Sequence, residues 1–142
     1  MILGHSSKPK GQMSDIFVFG SNLAGIHGRG SAFEARKRYG ALQTVGQGRM
    51  GSAYAIPTKD RQLRTLQLPT IAEYVKTFID YARANPDLTF NVVAIGCGLA
   101  GYTPADIAPM FTQAPSNVKL PAEFNEILKE DRQPTLFKVI RE

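Results

Sequence analysis

The stretch Asp15-Ile-Phe-Val-Phe-Gly-Ser-Asn-Leu-Ala-Gly-Ile-His-Gly-Arg-Gly-Ser-Ala32 passes from an apolar run through a glycine-rich segment into a helical pattern. Ile16 to Phe19 has the length of a fully buried strand, and Ser31 to Tyr39 mixes apolar and charged residues as a helix does. The glycines let the backbone turn tightly, and free amides at the start of the helix attract an anion. This order predicts a phosphate-binding loop; a turn that serves only the backbone is the alternative. The glycines concerned are Gly20, Gly25, Gly28 and Gly30.

The same order occurs a second time in the chain. Thr89 to Ile95 is rich in β-branched and aromatic residues and runs into Gly96-Cys-Gly-Leu-Ala-Gly-Tyr102. Thr103 and Asp106 then have the spacing of a capping box, which opens a predicted helix from Pro104 to Phe111. Because parallel strands end at a shared edge of their sheet, we expect both glycine loops to hold one diphosphate.

The other segments complete an alternation of strands and helices. Ser52 to Ile56 predicts a strand that ends at Pro57, so that Thr58, Lys59 and Asp60 lie just beyond it. Leu68 to Ala84 is the clearest amphipathic helix. Gly40 to Gly51 is expected to be a loop with marginal strand content, and the remaining predictions are a strand at Val118 to Leu120, a helix at Ala122 to Leu128 and a closing strand at Leu136 to Ile140.

This alternation predicts the α/β class: a mainly parallel sheet covered by helices on both faces. The 142 residues suit one domain, which we place at residues 15–142. Met1 to Ser14 is rich in Gly, Ser, Lys and Pro without periodicity, so we expect a flexible leader there.

Charge and composition exclude several classes of protein. The single cysteine precludes an internal disulfide, and with only two histidines we expect no metal site and no cofactor. No apolar stretch is long enough to span a bilayer and no signal peptide is present, so a cytoplasmic protein is expected. The net charge of +5 suits an anionic ligand; it is compatible with nucleic acid but contains no long basic block that would indicate it. The oligomeric state is left open.

Three motifs together resemble the successive loops of a macrodomain: Gly20 to Ala32, Ile56-Pro-Thr-Lys-Asp60, and Ile95-Gly-Cys-Gly-Leu-Ala-Gly101. Their order and spacing match from Asp15 to Phe111. The chain is most similar to the branch that contains terminal ADP-ribose protein glycohydrolase and the antitoxin macrodomains that remove ADP-ribose from DNA. It is also similar to a set of bacterial and phage proteins.

The resemblance implies a three-layer fold with an ADP-ribose cleft. Asn22 would approach the distal ribose, and the second glycine loop would wrap the phosphates. The residues expected to contact the ligand are Gly20, Ser21, Asn22, Gly28, Arg29, Gly30 and Ser31 from the first loop, and Gly96, Cys97, Gly98, Leu99, Ala100, Gly101 and Tyr102 from the second.

The resemblance also implies a catalytic lysine. In the glycohydrolase branch, the lysine that matches Lys59 attacks the anomeric carbon of the distal ribose, which is reasonable chemistry for an amine in a cleft. The alternative is a solvated lysine paired with Asp60. The glycohydrolase has an acidic residue where this chain has Ala100, so an assisting carboxylate is missing unless Asp60 replaces it.

Three further side chains have two interpretations each. His27 either donates to a phosphate or acts as an acid or base, or it is merely exposed. Cys97 is either a nucleophile whose pKa is lowered by a helix N-terminus or, as we favour, a small side chain packed under its loop. Tyr102 either covers the ligand or belongs to the core.

The leading hypothesis is therefore an ADP-ribose-binding protein that hydrolyses an ADP-ribosyl linkage through Lys59. The partner would be ADP-ribose or an ADP-ribosylated macromolecule. The alternatives are a non-catalytic reader of ADP-ribose and a nucleic-acid-binding protein.

Overall fold

The sheet has five strands in the order β2-β3-β1-β4-β5, in a computed structural model that describes residues 14–132. Only β2 runs antiparallel to its neighbour, β3, while the other three pairings are parallel. The strands are β1 (Asp15–Asn22), β2 (Gly48–Met50), β3 (Ala53–Lys59), β4 (Thr89–Val92) and β5 (Val118–Lys119).

The helices cover both faces of this sheet. They are α1 (Gly30–Arg38), α2 (Leu68–Ala84), α3 (Pro104–Ile107) with a 3₁₀ helix that continues it at Ala108–Phe111, and α4 (Ala122–Arg132). Alternation along β1 sends Ile16 and Val18 into the core shared with α2, α3 and α4, and Phe19 into a smaller core beneath α1. The predicted α/β class, mainly parallel sheet and helices on both faces are confirmed.

Helix α2 contributes five buried residues to the larger core, more than any other element of the described chain, along the apolar face that its pattern predicted. Its buried residues, spaced by three and four, are Ile71, Val75, Phe78, Ile79 and Ala82. The Phe78 ring packs edge-on against Tyr54 of β3 and Phe90 of β4, with ring centroids 5.0 and 5.4 Å away. Burial of such a side chain contributes about 1.5–3 kcal/mol to folding.

Several predicted boundaries are wrong. Strand β3 does not end at Pro57 but continues to Lys59, because its ladder with β1 changes register between Ser21 and Asn22, where a residue without an N–H is tolerated. Strand β4 stops at Val92, three residues early. The helix predicted to end at Leu128 continues to Arg132 as α4. The marginal strand content expected within Gly40 to Gly51 is confirmed: it is the three-residue β2, which pairs with β3 as a hairpin.

Two predictions fall largely outside the described residues. The flexible leader covers residues 1–14, of which the structure describes Ser14, whose carbonyl oxygen accepts a hydrogen bond from the Thr89 amide at 2.7 Å. The closing strand at Leu136 to Ile140 lies wholly outside them. Among the helices of residues 14–132, none is both long enough and apolar enough to cross a membrane.

Candidate ligand-binding site

A cavity of about 870 Å³ lies at the edge where β1, β3 and β4 end. Both glycine loops line it, as predicted: Gly28 and Gly98, which are 70 positions apart in the chain, share one cavity. The middle strand contributes Thr58 and Lys59. The predicted contact residues that line it are Gly20, Ser21, Asn22, Gly28, Arg29, Gly30, Ser31, Gly96, Gly98, Leu99 and Ala100.

The start of α1 faces this cavity. Gly30, Ser31 and Ala32 are its first residues and line the cavity, and no side chain of residues 14–132 caps their amides. The first turn also contains no acidic residue, so its amides and the positive end of the helix dipole are available to an anion. Arg29, in the N-cap position, adds a positive charge.

Asn22 and Ser21 hold the shape of the first loop. The Asn22 amide group bonds in both directions to the backbone of Ile26: Nδ2 donates to its carbonyl oxygen and Oδ1 accepts from its amide, each at 2.9 Å. The buried Ser21 hydroxyl donates to the carbonyl oxygen of Gly46. Each group therefore keeps only part of its hydrogen-bonding capacity for a ligand.

His27 is fully buried and does not line the cavity, so it is neither exposed nor in contact with a ligand there. Its Nε2 donates to the carbonyl oxygen of Val45 at 2.8 Å, and its Nδ1 has no partner among the described residues. Its backbone is held as well, by the Gln43 side chain and by the Arg36 guanidinium. The expected acid-base role of His27 is corrected to support of the loop from beneath.

The second loop places three of its residues away from the cavity: Cys97, Gly101 and Tyr102. The Tyr102 hydroxyl donates to the carbonyl oxygen of Leu66 at 2.7 Å and its ring packs against the larger core, so Tyr102 does not cover a ligand. Burial raises the pKa of the Cys97 thiol, aided by the Glu123 and Asp106 carboxylates. The hypothesis of a lowered pKa is therefore wrong, and Cys97 packs against the core as the alternative proposed.

Lys59 lines the cavity and is half-buried. Within residues 14–132 it forms no ion pair, whereas its neighbour Asp60 pairs with Arg64 at 3.1 Å. The alternative prediction, an ion pair between a solvated Lys59 and Asp60, is therefore wrong. Asp60 does not line the cavity, so it does not replace the carboxylate that Ala100 lacks.

The sequence interpretation missed several lining residues. Thr58 is buried and its hydroxyl donates to the carbonyl oxygen of Ser21 at 3.2 Å, which joins the ends of β3 and β1. Leu63, from the connection between β3 and α2, also lines the cavity, and so does Ile26. Thr58 belongs to the motif Ile56-Pro-Thr-Lys-Asp60, which could have indicated it as a lining residue. The sequence around Leu63 contains no periodic signal that could have indicated Leu63. No cluster of three or more metal-binding side chains occurs in the described part of the chain.

Comparison with known proteins identifies one related architecture. No protein-family model matches the sequence, and a search of curated proteins found no match. A solved structure, Thermosipho africanus DarTG in complex with ADP-ribose, is similar over 78% of this chain, with a TM-score of 0.55 and 15% sequence identity. This chain covers 39% of the length of that one. At this identity the likeness concerns the fold, and the fold of this chain is macrodomain-like.

Proposed function

We propose that the cavity binds ADP-ribose or a closely related nucleotide diphosphate. Its volume of about 870 Å³ is within the range of small-molecule sites. The solved structure of DarTG, which has a similar fold, is a complex with ADP-ribose. The resemblance of the three loops to those of macrodomains also supports the proposal.

The charge of the cavity favours a phosphate. Arg29 and Lys59 line it, and no carboxylate does so among the described residues. The uncapped amides at the start of α1 supply further donors, and such amides bind phosphates without a charged side chain. A diphosphate fits this combination because two glycine loops approach it from different strand ends.

The observation that carries the proposal is the open space beside the cavity glycines. A Cβ atom built on Gly28 or Gly98 would meet no atom of residues 14–132 within 4 Å, although both residues line the cavity. Neither glycine is required by neighbouring protein atoms or by a positive φ angle. Their lack of a side chain is explained by close approach of a ligand to the backbone.

Catalysis by Lys59 is the second part of the proposal, favoured by its position in the cavity and by its lack of an ion-pair partner within the described part of the chain. The Lys59 ammonium group gives up a proton to solvent and its nitrogen attacks the anomeric carbon of the distal ribose; a bond from nitrogen to that carbon forms, and the bond to the modified group breaks with its electron pair leaving on that group. The leaving group takes a proton from solvent, since no carboxylate of residues 14–132 lines the cavity. Water then attacks the anomeric carbon, the carbon–nitrogen bond breaks with its electron pair on the Lys59 nitrogen, and a proton of the water passes to solvent, which releases ADP-ribose and restores the amine.

Calorimetric titration with ADP-ribose tests the binding step. Wild type is expected to bind, and Gly28→Ala or Gly98→Ala should raise Kd roughly tenfold, because a methyl group would displace the phosphate from a backbone donor. The free energy of unfolding of both variants should be unchanged. Absence of ADP-ribose binding by the wild type would refute the proposal, and affinity for nucleic acid that falls steeply with salt would favour the nucleic-acid alternative.

Release of ADP-ribose from modified protein, DNA or phosphate esters tests the catalytic step. Lys59→Ala should retain most of the affinity and lose turnover, whereas Lys119→Ala, which removes the same charge from exposed β5, should retain both. Binding without release by the wild type on any of these substrates would identify a non-catalytic reader.

A further inference from the structure

The carboxylate of Asp60 organises the turn that directly follows Lys59. Its Oδ1 accepts hydrogen bonds from the backbone amides of Gln62 and Arg64, both at 2.9 Å, and its Oδ2 accepts from Arg64 Nε at 3.1 Å. The backbone closes the same turn, because the Asp60 amide donates to the Arg64 carbonyl oxygen at 2.8 Å. The carboxylate and the backbone of Asp60 together therefore hold the segment 60–64.

This turn keeps Leu63 in an unusual conformation at the cavity wall. Leu63 has a φ angle of +65°, in the left-handed region that residues other than glycine rarely adopt. It lines the cavity and is 45% exposed, so packing of its own side chain does not hold it there. Conformations of this kind persist only where surrounding bonds determine them, and the bonds to Asp60 do so here.

The far end of the turn is joined to the second glycine loop. The Thr65 hydroxyl donates to the carbonyl oxygen of Ala100 at 3.0 Å, and the Tyr102 hydroxyl donates to that of Leu66 at 2.7 Å. Leu66 is tied back to β3 through its amide, which donates to the Thr58 carbonyl oxygen at 2.9 Å. A continuous series of hydrogen bonds thus connects the residue after Lys59 with the loop that contains Gly98.

We propose that Asp60 is a positioning residue, which fixes the turn after Lys59 and through it holds the second glycine loop in its ligand-binding shape. The role deepens the proposed function, on whose ligand it rests. It also explains why the carboxylate points into the turn and leaves the cavity to Lys59. The pKa of this carboxyl group is lowered, first by the hydrogen bond from the Arg64 amide, which agrees with a carboxylate whose lone pairs are engaged.

Hydrogen exchange of the ligand-free protein tests the connection between the 60–64 turn and the second glycine loop. The reporters are the Gly101 and Tyr102 amides, which donate to the Gly98 and Gly96 carbonyl oxygens at 3.1 and 2.8 Å. Asp60→Ala should accelerate their exchange about tenfold, and Asp60→Asn, which keeps an acceptor for both turn amides, should restore most of the protection. Asp80→Ala is the matched control: it removes one exposed carboxylate with ion-pair partners on α2, outside the cavity, and should change nothing.

Affinity for ADP-ribose gives the second readout. Asp60→Ala should raise the Kd for ADP-ribose about tenfold, because binding must then order the 60–64 turn and the second glycine loop. Thr65→Val, which removes the bond to Ala100, should have a similar effect, and the double variant should lose less than the product of the single effects. Unchanged exchange, unchanged Kd, or fully multiplicative effects would overturn the positioning role. If Asp60→Ala accelerates exchange but the wild type does not bind ADP-ribose, the proposed ligand is wrong and the connection between the 60–64 turn and the second glycine loop is supported.

Discussion

Among the described glycines, Gly28 and Gly98 contrast with Gly46 in what an added methyl group would meet. Beside Gly28 and Gly98 it would enter the open cavity, whereas on Gly46 it would overlap the carbonyl oxygen of Asn22. The first kind leaves room for a ligand, and the second allows two backbone segments to touch. Sequence alone shows both as loop glycines, because the difference depends on contacts with residues far along the chain.

Gly46→Ala should therefore lower the free energy of unfolding by about 1–3 kcal/mol, since the backbone around Asn22 must move apart. Gly98→Ala should leave it within about 0.5 kcal/mol of wild type. Urea denaturation followed by circular dichroism measures both. Equal stability of the two variants would contradict the close contact between the segments.

Helix beginnings supply the corresponding contrast at the scale of elements. Thr103 and Asp106 form the predicted capping box at α3, with the Thr103 amide and the Asp106 carboxylate 3.0 Å apart. The first turn of α1 has no side-chain cap. The capped helix follows the second glycine loop and holds it in place, while the uncapped one presents its amides to the cavity.

Thr103→Ala should lower the free energy of unfolding by about 1 kcal/mol through loss of this cap. Thr77→Ala is the matched control: it removes the same atoms from an exposed position inside α2, where alanine has the higher helix propensity. Urea midpoints measure both changes. A loss in Thr77→Ala as large as that in Thr103→Ala would argue against a specific capping contribution.

At the scale of the whole molecule, the larger core makes the free energy of unfolding depend on pH in the alkaline range. Tyr54 lies between β3 and α2, and desolvation by burial, with a smaller contribution from Tyr81, raises its pKa from 10.0 to about 12. The folded state thus holds this proton more tightly than the unfolded state does. The resulting stability is complete below pH 10 and is lost as the pH rises from there to about 12.

We expect the loss of this contribution to lower the free energy of unfolding by about 2 kcal/mol as the pH rises across that interval. Tyr54→Phe removes the titrating group and should flatten this part of the pH profile. Tyr39→Phe, which removes a hydroxyl from a ring stacked on Phe17 at the other core, serves as the control. Chemical denaturation at pH 9, 10, 11 and 12 measures the difference. Parallel profiles for wild type and Tyr54→Phe would contradict the assignment.

The sequence by itself determined the fold class, the principal helices and strands, and the presence of two loops that end at one edge of the sheet. Those features follow from local patterns: apolar periodicity along α2, β-branched runs, glycines after strands and the capping box at α3. Each pattern involves residues within a few positions of one another, so it can be read without knowledge of the rest of the chain.

Only the tertiary structure decided what the individual side chains do. In the structure His27 is buried and bonds to Val45, and the Asp60 carboxylate bonds within its own turn. The Tyr102 hydroxyl bonds to Leu66, and Leu63 lines the cavity. These outcomes depend on strand register and on where loops meet, which bring together residues that are distant in the chain. A residue type in a loop indicates what chemistry is available, whereas the direction in which the side chain points is fixed by contacts that no local pattern contains.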